Sequence, residues 1–195
     1  MALMDIDAVE WWEHDQVREA LIEAVLLWRR TPGDGRWPFA SDGPWHLMSR
    51  DLQADYDARG GDLGEVVPRP LPLSRAEVAW RDRVTDWMML VGALDIAELH
   101  RQLASAAPSR RAYLERRIRK REKQAQADRR LLAICLDYHA RGWERLPWKR
   151  RIMPALGLRR GQAGLERRYS KALREIAEAL NTPDFCASNL SRGIM

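Results

Sequence analysis

Apolar residues recur at three- and four-residue steps in several stretches of the chain, and this spacing predicts amphipathic helices. The first predicted helix spans His14 to Arg30. Its apolar face carries Val17, Leu21, Ala24, Val25 and Trp28. Consecutive breakers at residues 31–35 (Thr-Pro-Gly-Asp-Gly) are expected to end this helix.

A second helix is predicted to begin after Ser74 and to run to about Val91. Ser74 and Glu77 have the spacing of a capping box, in which each side chain bonds to the other residue's backbone N–H. Its apolar stripe consists of Trp80, Val84, Trp87, Met88 and Val91. Tryptophans at helical spacing with no polar residues among them are more typical of a core than of a ligand site.

Two further helices are predicted, over Asp95 to Ala106 and over Ser109 to about Arg141. The second contains no breaker, and its composition changes along its length. Its first two thirds are rich in arginine and lysine, whereas its last third is apolar, with Leu131, Leu132 and Ile134. We therefore expect the apolar end to pack and the basic end to project.

The pattern between 146 and 181 predicts a helix-turn-helix. Pro147 suits a first helical turn, and Trp148, Ile152 and Leu156 share one face of a short helix that Pro154 should shorten or kink. Gly157 can adopt the left-handed conformation at a helix end. A second helix is expected from Arg160 or Gln162 to Leu180. Its inner face would carry Leu165, Tyr169, Leu173, Ile176 and Leu180.

These elements predict an all-α protein. The stretch between Thr31 and Pro72 is rich in proline and glycine, with one short helix expected near Pro44 to Tyr56 and an extended connector at 68–72. The predicted segments are an acidic, tryptophan-rich helical and loop region (1–72), a helical body (73–108), a long basic helix (109–145), the helix-turn-helix (146–181) and a loose tail (182–195).

The net charge of +5 is unevenly distributed along the chain. Residues 1–108 contain 11 Lys/Arg and 19 Asp/Glu, whereas residues 109–195 contain 22 Lys/Arg and 9 Asp/Glu. A basic excess of this size confined to one half favours a polyanionic partner over an ordinary solvated surface.

Composition argues against several classes of function. Cys135 and Cys186 fit no disulfide or metal-ligand spacing, and the four histidines are scattered, so no metal site is expected. No apolar run approaches the ~18 residues of a membrane span, and a cytoplasmic protein is expected.

The carboxylates of the basic region (Glu115, Glu122, Asp128, Asp137) are interpreted as intrahelical partners of arginine or lysine. No phosphate loop or activated nucleophile is present, so neither catalysis nor a cofactor is expected.

The basic residues of the helix-turn-helix are the predicted contacts to double-stranded DNA, because the start of a recognition helix reaches base edges while flanking cations hold phosphates. The predicted DNA-binding residues are Lys149, Arg150, Arg159, Arg160, Gln162, Arg167, Arg168, Lys171 and Arg174. Additional phosphate contacts are predicted for Arg116, Arg117, Arg119, Lys120, Arg121 and Lys123.

Residues 156–163 (LGLRRGQA) and 169–173 (YSKAL) resemble the region-4 helix-turn-helix of sigma-70-type factors. The wider layout is similar to that of an uncharacterised family of phages and prophages of alphaproteobacteria. The shared features are an N-terminal helix ending in Trp28-Arg29-Arg30, a Trp/Pro loop, a proline-rich connector, and Trp148 at the start of a terminal helix-turn-helix. The resemblance implies DNA binding linked to transcription or to phage DNA handling.

Three functions remain open at this stage. The first is a transcriptional regulator that acts with RNA polymerase, with the acidic N-terminal half as the protein-contacting part. The second is a packaging protein of the small-terminase kind, which a ring-forming oligomer would favour. The third is an RNA-binding or antitermination factor, because the arginine-rich stretch 109–130 is equally suited to RNA.

Overall fold

The computed structural model describes residues 4–6, 8–30 and 73–182 of the chain. These residues are helical and include no strand, which confirms the all-α fold class. The helices are α1 (His14–Arg30), α2 (Arg75–Asp86), α3 (Ala93–Ala104), α4 (Pro108–Ala140), α5 (Met153–Ala155) and α6 (Gln162–Leu180). A 3-10 turn (Trp87–Leu90) follows α2, and a π-helical turn (Trp148–Ile152) leads into α5. The predicted short helix at 44–56, the connector at 68–72 and the tail after Thr182 lie outside the described residues.

The local signals at the start of α2 act as predicted. The backbone N–H of Glu77 donates to Ser74 Oγ (3.2 Å), and the backbone N–H of Ser74 donates to the Glu77 carboxylate (2.7 Å), which completes the capping box. The hydrogen bond from the Ser74 backbone N–H to the Glu77 carboxylate lowers the pKa of that carboxyl group. The α-helix ends at Asp86 rather than near Val91, because the chain tightens into the 3-10 turn before Gly92 takes a φ of +75°.

One hydrophobic core joins α1, α2, α4 and α6. The inner face of α1, the apolar last third of α4 and the inner face of α6 meet there, together with Trp148 and Ile152. Its most deeply buried members include Val17, Leu21, Val84, Leu132, Leu136, Ile152 and Ile176. The predicted segments 109–145 and 146–181 therefore both contribute buried residues to this core.

A second, smaller cluster holds α3 against the first part of α4. It consists of Leu99, Leu114 and Ile118, with Leu103 and Ala106 packed beside it. We refer to α3 together with residues 108–124 of α4 as the basic hairpin. Because α4 has 33 residues and a helix rises ~1.5 Å per residue, α4 is ~50 Å long and serves both clusters. The prediction that its apolar end packs is confirmed by the burial of residues 131–137.

The tryptophans of α1 and α2 have structural contacts, as predicted. Trp80 and Trp87 are buried, and the indole N–H of Trp80 donates to the carbonyl of Met4 (2.8 Å). The indole N–H of Trp28 donates to Thr85 Oγ1 (3.0 Å), and the Arg81 guanidinium lies 3.8 Å from the centroid of the Trp28 ring. These contacts join α1 to α2.

Candidate nucleic-acid interface

The first helix of the predicted helix-turn-helix is short and begins with a widened turn. Ile152 and Met153 donate their backbone N–H groups five residues back, to Pro147 and Trp148. Pro154 lies in the first turn of α5 and has no N–H to donate, so an unbroken α-helical hydrogen-bond pattern cannot run from Trp148 through this position, which accounts for the predicted distortion. Trp148, Ile152 and Met153 are buried on the inner side, whereas Lys149, Arg150 and Arg151 are exposed on the outer side.

The turn between α5 and α6 is closed by two glycines. Gly157 has a φ of +69°, its N–H donates to the carbonyl of Pro154 (2.9 Å), and the N–H of Leu158 donates to the carbonyl of Met153 (2.8 Å). This pair of bonds is a Schellman motif, in which the left-handed residue is usually glycine. Gly161, with a φ of +101°, then precedes α6. The prediction for Gly157 is confirmed, and the turn spans residues 156–161.

Helix α6 has one buried and one exposed face. Leu165, Tyr169, Leu173 and Ile176 are buried against α1 and α4, as predicted. We refer to the opposite side as the exposed α6 face, which comprises Ala163, Arg167, Ser170, Lys171, Arg174 and, near its end, Glu178. Arg167 Nε donates to the carbonyl of Ala163 (3.2 Å) and Arg174 Nε to that of Ser170 (3.4 Å), so both side chains lie along the helix.

A second group of predicted residues meets at the start of α6. Lys149, Arg159, Arg160 and Gln162 line one open groove of about 520 Å³ between the first helix and the beginning of α6. No side chain in the described part of the chain caps the N-terminus of α6, so its first backbone N–H groups add a partial positive charge to the groove. This end of the helix is therefore suited to an anion.

Three of the predicted contacts have carboxylate partners. Lys171 Nζ lies 3.4 Å from Glu175 Oε1 on its own helix and remains exposed, whereas Arg168 and Arg121 are bonded to carboxylates on other helices. Arg168 Nε donates to the Asp128 carboxylate of α4 at 2.7 Å, and Asp128 is only 7% exposed. Arg121 donates to Asp95 of α3 (2.9 Å) and to Glu175 of α6 (2.5 Å), and it lies 3.9 Å from Asp128. Both residues join helices to each other, so we withdraw Arg168 from the DNA-binding set and Arg121 from the phosphate-contacting set.

This ion-pair network also corrects the interpretation of Asp128 as an intrahelical partner. Asp128 accepts two hydrogen bonds from the Gln124 amide, but the cation nearest to its carboxylate is Arg168, 40 residues away in the chain. Asp137, also interpreted as intrahelical, bonds to Arg141 on its own helix (2.9 Å) and to Arg29 of α1. Local spacing thus predicted the Arg141 partner of Asp137, whereas Arg29 and Arg168 come from other helices.

The end of α6 is fixed to the N-terminal segment. The backbone N–H of Trp12 donates to Asn181 Oδ1 (2.7 Å), and the Asn181 amide donates back to the carbonyl of Trp12 (2.9 Å). With the Arg168–Asp128 pair near its middle, α6 is thus bonded to α4 and to the segment before α1. Such anchoring presents the exposed α6 face in a single orientation.

The remaining hairpin cations lie on a separate surface. The side chains of Arg116, Arg117, Arg119, Lys120 and Lys123 are exposed on α4. None of the five has a carboxylate within ion-pair distance in the described part of the chain. Arg121, on the same helix, connects this surface to α6 through Glu175.

Other chemistry is sparse in the described ranges. Residues 4–6, 8–30 and 73–182 contain no group of three or more His, Cys, Asp or Glu side chains arranged for a metal ion. Burial raises the pKa of the Cys135 thiol, which therefore stays protonated and packs as a small apolar group. Within the same residues, no helix has the length and apolar character needed to cross a membrane.

Comparisons of the chain with protein-family models, with curated proteins and with solved structures gave no match.

Proposed function

We propose that the chain is a DNA-binding transcriptional regulator of phage or prophage-like genes that binds duplex DNA through the exposed α6 face. The proposal rests on the exposure and the lack of carboxylate partners, within the described ranges, of four arginines on α6 and in the turn before it. Arg159, Arg160, Arg167 and Arg174 are exposed, and none has a carboxylate partner among the residues that the structure describes. Cations left unpaired on α6 and in the turn before it are available to neutralise phosphates.

The expected docking places the start of α6 in the major groove. Arg160 and Gln162 would approach base edges, where arginine can pair with both acceptors of guanine and glutamine with adenine. Arg167, Lys171 and Arg174 would lie along the phosphates, and Lys149 and Arg150 would hold the opposite strand. Arg168 has no part in this arrangement, because its guanidinium is bonded to Asp128.

The link to transcription rests on the resemblance to region 4 of sigma-70-type factors. RNA polymerase is the partner that this resemblance implies. The acidic segment before residue 109 is the proposed protein-contacting part, because its negative charge would keep it away from phosphate.

Duplex binding measured as a function of salt concentration tests the proposal. In Arg167→Ala/Lys171→Ala, affinity for every duplex sequence should fall, and the slope of log K against log salt should become shallower by about 2, since each lost phosphate contact contributes about 0.9. The control is Arg75→Ala/Arg83→Ala, which removes the same charge from exposed positions on α2. Equal affinities and slopes for the two double variants would overturn the assignment of the exposed α6 face.

A further inference from the structure

The basic hairpin contains an open groove of about 810 Å³ between α3 and α4. Its two walls differ in chemistry. The α4 wall carries Tyr113, Arg116, Arg117 and Lys120, whereas the α3 wall includes Glu98 and Gln102. The volume is within the range of sites that hold small organic groups. The groove is also distinct from the exposed α6 face, so binding there does not depend on the proposed function.

Tyr113 is an exposed aromatic ring inside this basic groove. Its side chain is 55% exposed, although large hydrophobic residues elsewhere on α4 are mostly buried. The Arg117 guanidinium lies 5.8 Å from the ring centroid. An exposed aromatic ring beside cations is the arrangement on which nucleic-acid bases stack.

The cations beside Tyr113 are unpaired within the described ranges. Arg116 and Lys120 line both this groove and an adjoining recess that Arg119 and Lys123 also line. From Tyr113 to Lys120 the helix rises ~10 Å, so the ring and the charges lie along one short stretch of α4. A strand whose base stacks on Tyr113 would therefore have its flanking phosphates near Arg116 and Lys120.

The opposite wall offers hydrogen-bond acceptors. The Gln102 amide N–H donates to Glu98 (2.9 Å), which orients the amide and leaves its carbonyl oxygen free to accept. The 2′-hydroxyl of a ribose can donate to such an acceptor, whereas a deoxyribose has no group to do so. A duplex is disfavoured, because its bases are already stacked on one another and cannot reach Tyr113.

We propose that the groove of the basic hairpin binds single-stranded RNA, with one base stacked on Tyr113, flanking phosphates on Arg116 and Lys120, and a ribose hydroxyl on the Gln102 wall.

The test compares a short oligouridine with the oligodeoxyuridine of the same length, using the full chain. Tyr113→Ala should weaken oligouridine binding by at least about fivefold, the lower limit for loss of one stacked base, and Tyr113→Phe should retain it. Trp11→Ala, which removes another exposed aromatic ring (68% exposed), should have no effect. Gln102→Ala should reduce the preference for oligouridine over oligodeoxyuridine. Circular dichroism and thermal melting should establish that all variants fold.

Several outcomes would overturn the proposal. Unchanged RNA binding by Tyr113→Ala would exclude stacking on this ring, and equal binding of the two oligonucleotides would exclude recognition of the ribose. Loss of RNA binding in Arg167→Ala/Lys171→Ala would place the RNA on the exposed α6 face. The affinity of Tyr113→Ala for duplex DNA should equal that of the unaltered chain, even if the RNA proposal fails. This measurement therefore distinguishes the RNA site from the exposed α6 face.

Discussion

Arg167 and Arg168 are adjacent on α6 but have different surroundings. Arg167 is exposed and, among the described residues, bonds to a backbone carbonyl of its own helix, whereas Arg168 crosses to the buried carboxylate of Asp128. The first side chain is free to meet a phosphate, and the second holds α6 against α4. Substitutions at these two positions should therefore affect different properties.

Arg168→Ala should lower the free energy of unfolding by about 1–2 kcal/mol. Removing one partner of a buried ion pair costs about 3–5 kcal/mol, but Arg168 is about one-third exposed and Gln124 remains bonded to Asp128. Arg167→Ala should leave unfolding unchanged and weaken duplex binding. Urea denaturation and duplex titration of both variants check this pair, and equal stabilities would contradict the role given to Arg168.

The partners of Arg168 and Arg121 could not be predicted from the sequence. Periodicity identifies which residues share a helix face, but it carries no information about which face of another helix lies opposite. Asp128 and Arg168 are 40 positions apart, and Arg121 and Glu175 are 54 apart. Arginine was assigned to DNA because of its charge, and only the packing of α6 on α4 distinguishes Arg168 from Arg167.

At the scale of elements, the turn of the helix-turn-helix depends on backbone conformation. Gly157 needs a left-handed backbone to close the Schellman motif, while Gly164 lies within α6. A Cβ added at either position would meet no described residue beyond its local backbone within 4 Å, so steric contact does not distinguish the two substitutions. Their effects should therefore follow from backbone preference alone.

Gly157→Ala should destabilise the protein by about 1–2 kcal/mol, the cost of a left-handed conformation for an alanine. Gly164→Ala should stabilise it by about 0.5–1 kcal/mol, because alanine loses less conformational freedom in a helix than glycine does. Thermal or urea unfolding of the two single variants provides the comparison. The same sign for both changes would mean that the turn or the helix is built differently from this description.

The elements themselves were largely predictable. The bounds of α1 agree with the apolar periodicity, and those of α4 agree to within one residue at each end. Each of these helices has a strong local signal. Breakers follow Arg30 at the end of α1, and Pro108 stands at the start of α4. The predicted division into segments did not indicate which helices pack together. Helix α6 buries its inner face against α1, which lies more than 130 residues earlier in the chain.

At the scale of the whole molecule, the distribution of charge orients the proposed complex. The acidic half would be repelled by phosphate, whereas α4, the turn after α5 and α6 contribute 16 of the 22 Lys/Arg residues in the basic half. We propose two binding surfaces on this fold, the exposed α6 face for duplex DNA and the groove of the basic hairpin for single-stranded RNA. A protein with both is suited to act where a transcript leaves its template.

Occupancy on DNA in the cell that naturally carries this protein tests the central claim most directly. Crosslinking and sequencing should be performed with the unaltered chain and with Arg167→Ala/Lys171→Ala, and RNA polymerase occupancy should be recorded alongside. We expect sharp peaks at a small number of promoters, shared with polymerase and lost in the variant. Absence of enrichment, or peaks that persist in the variant, would contradict a transcriptional role exerted through α6.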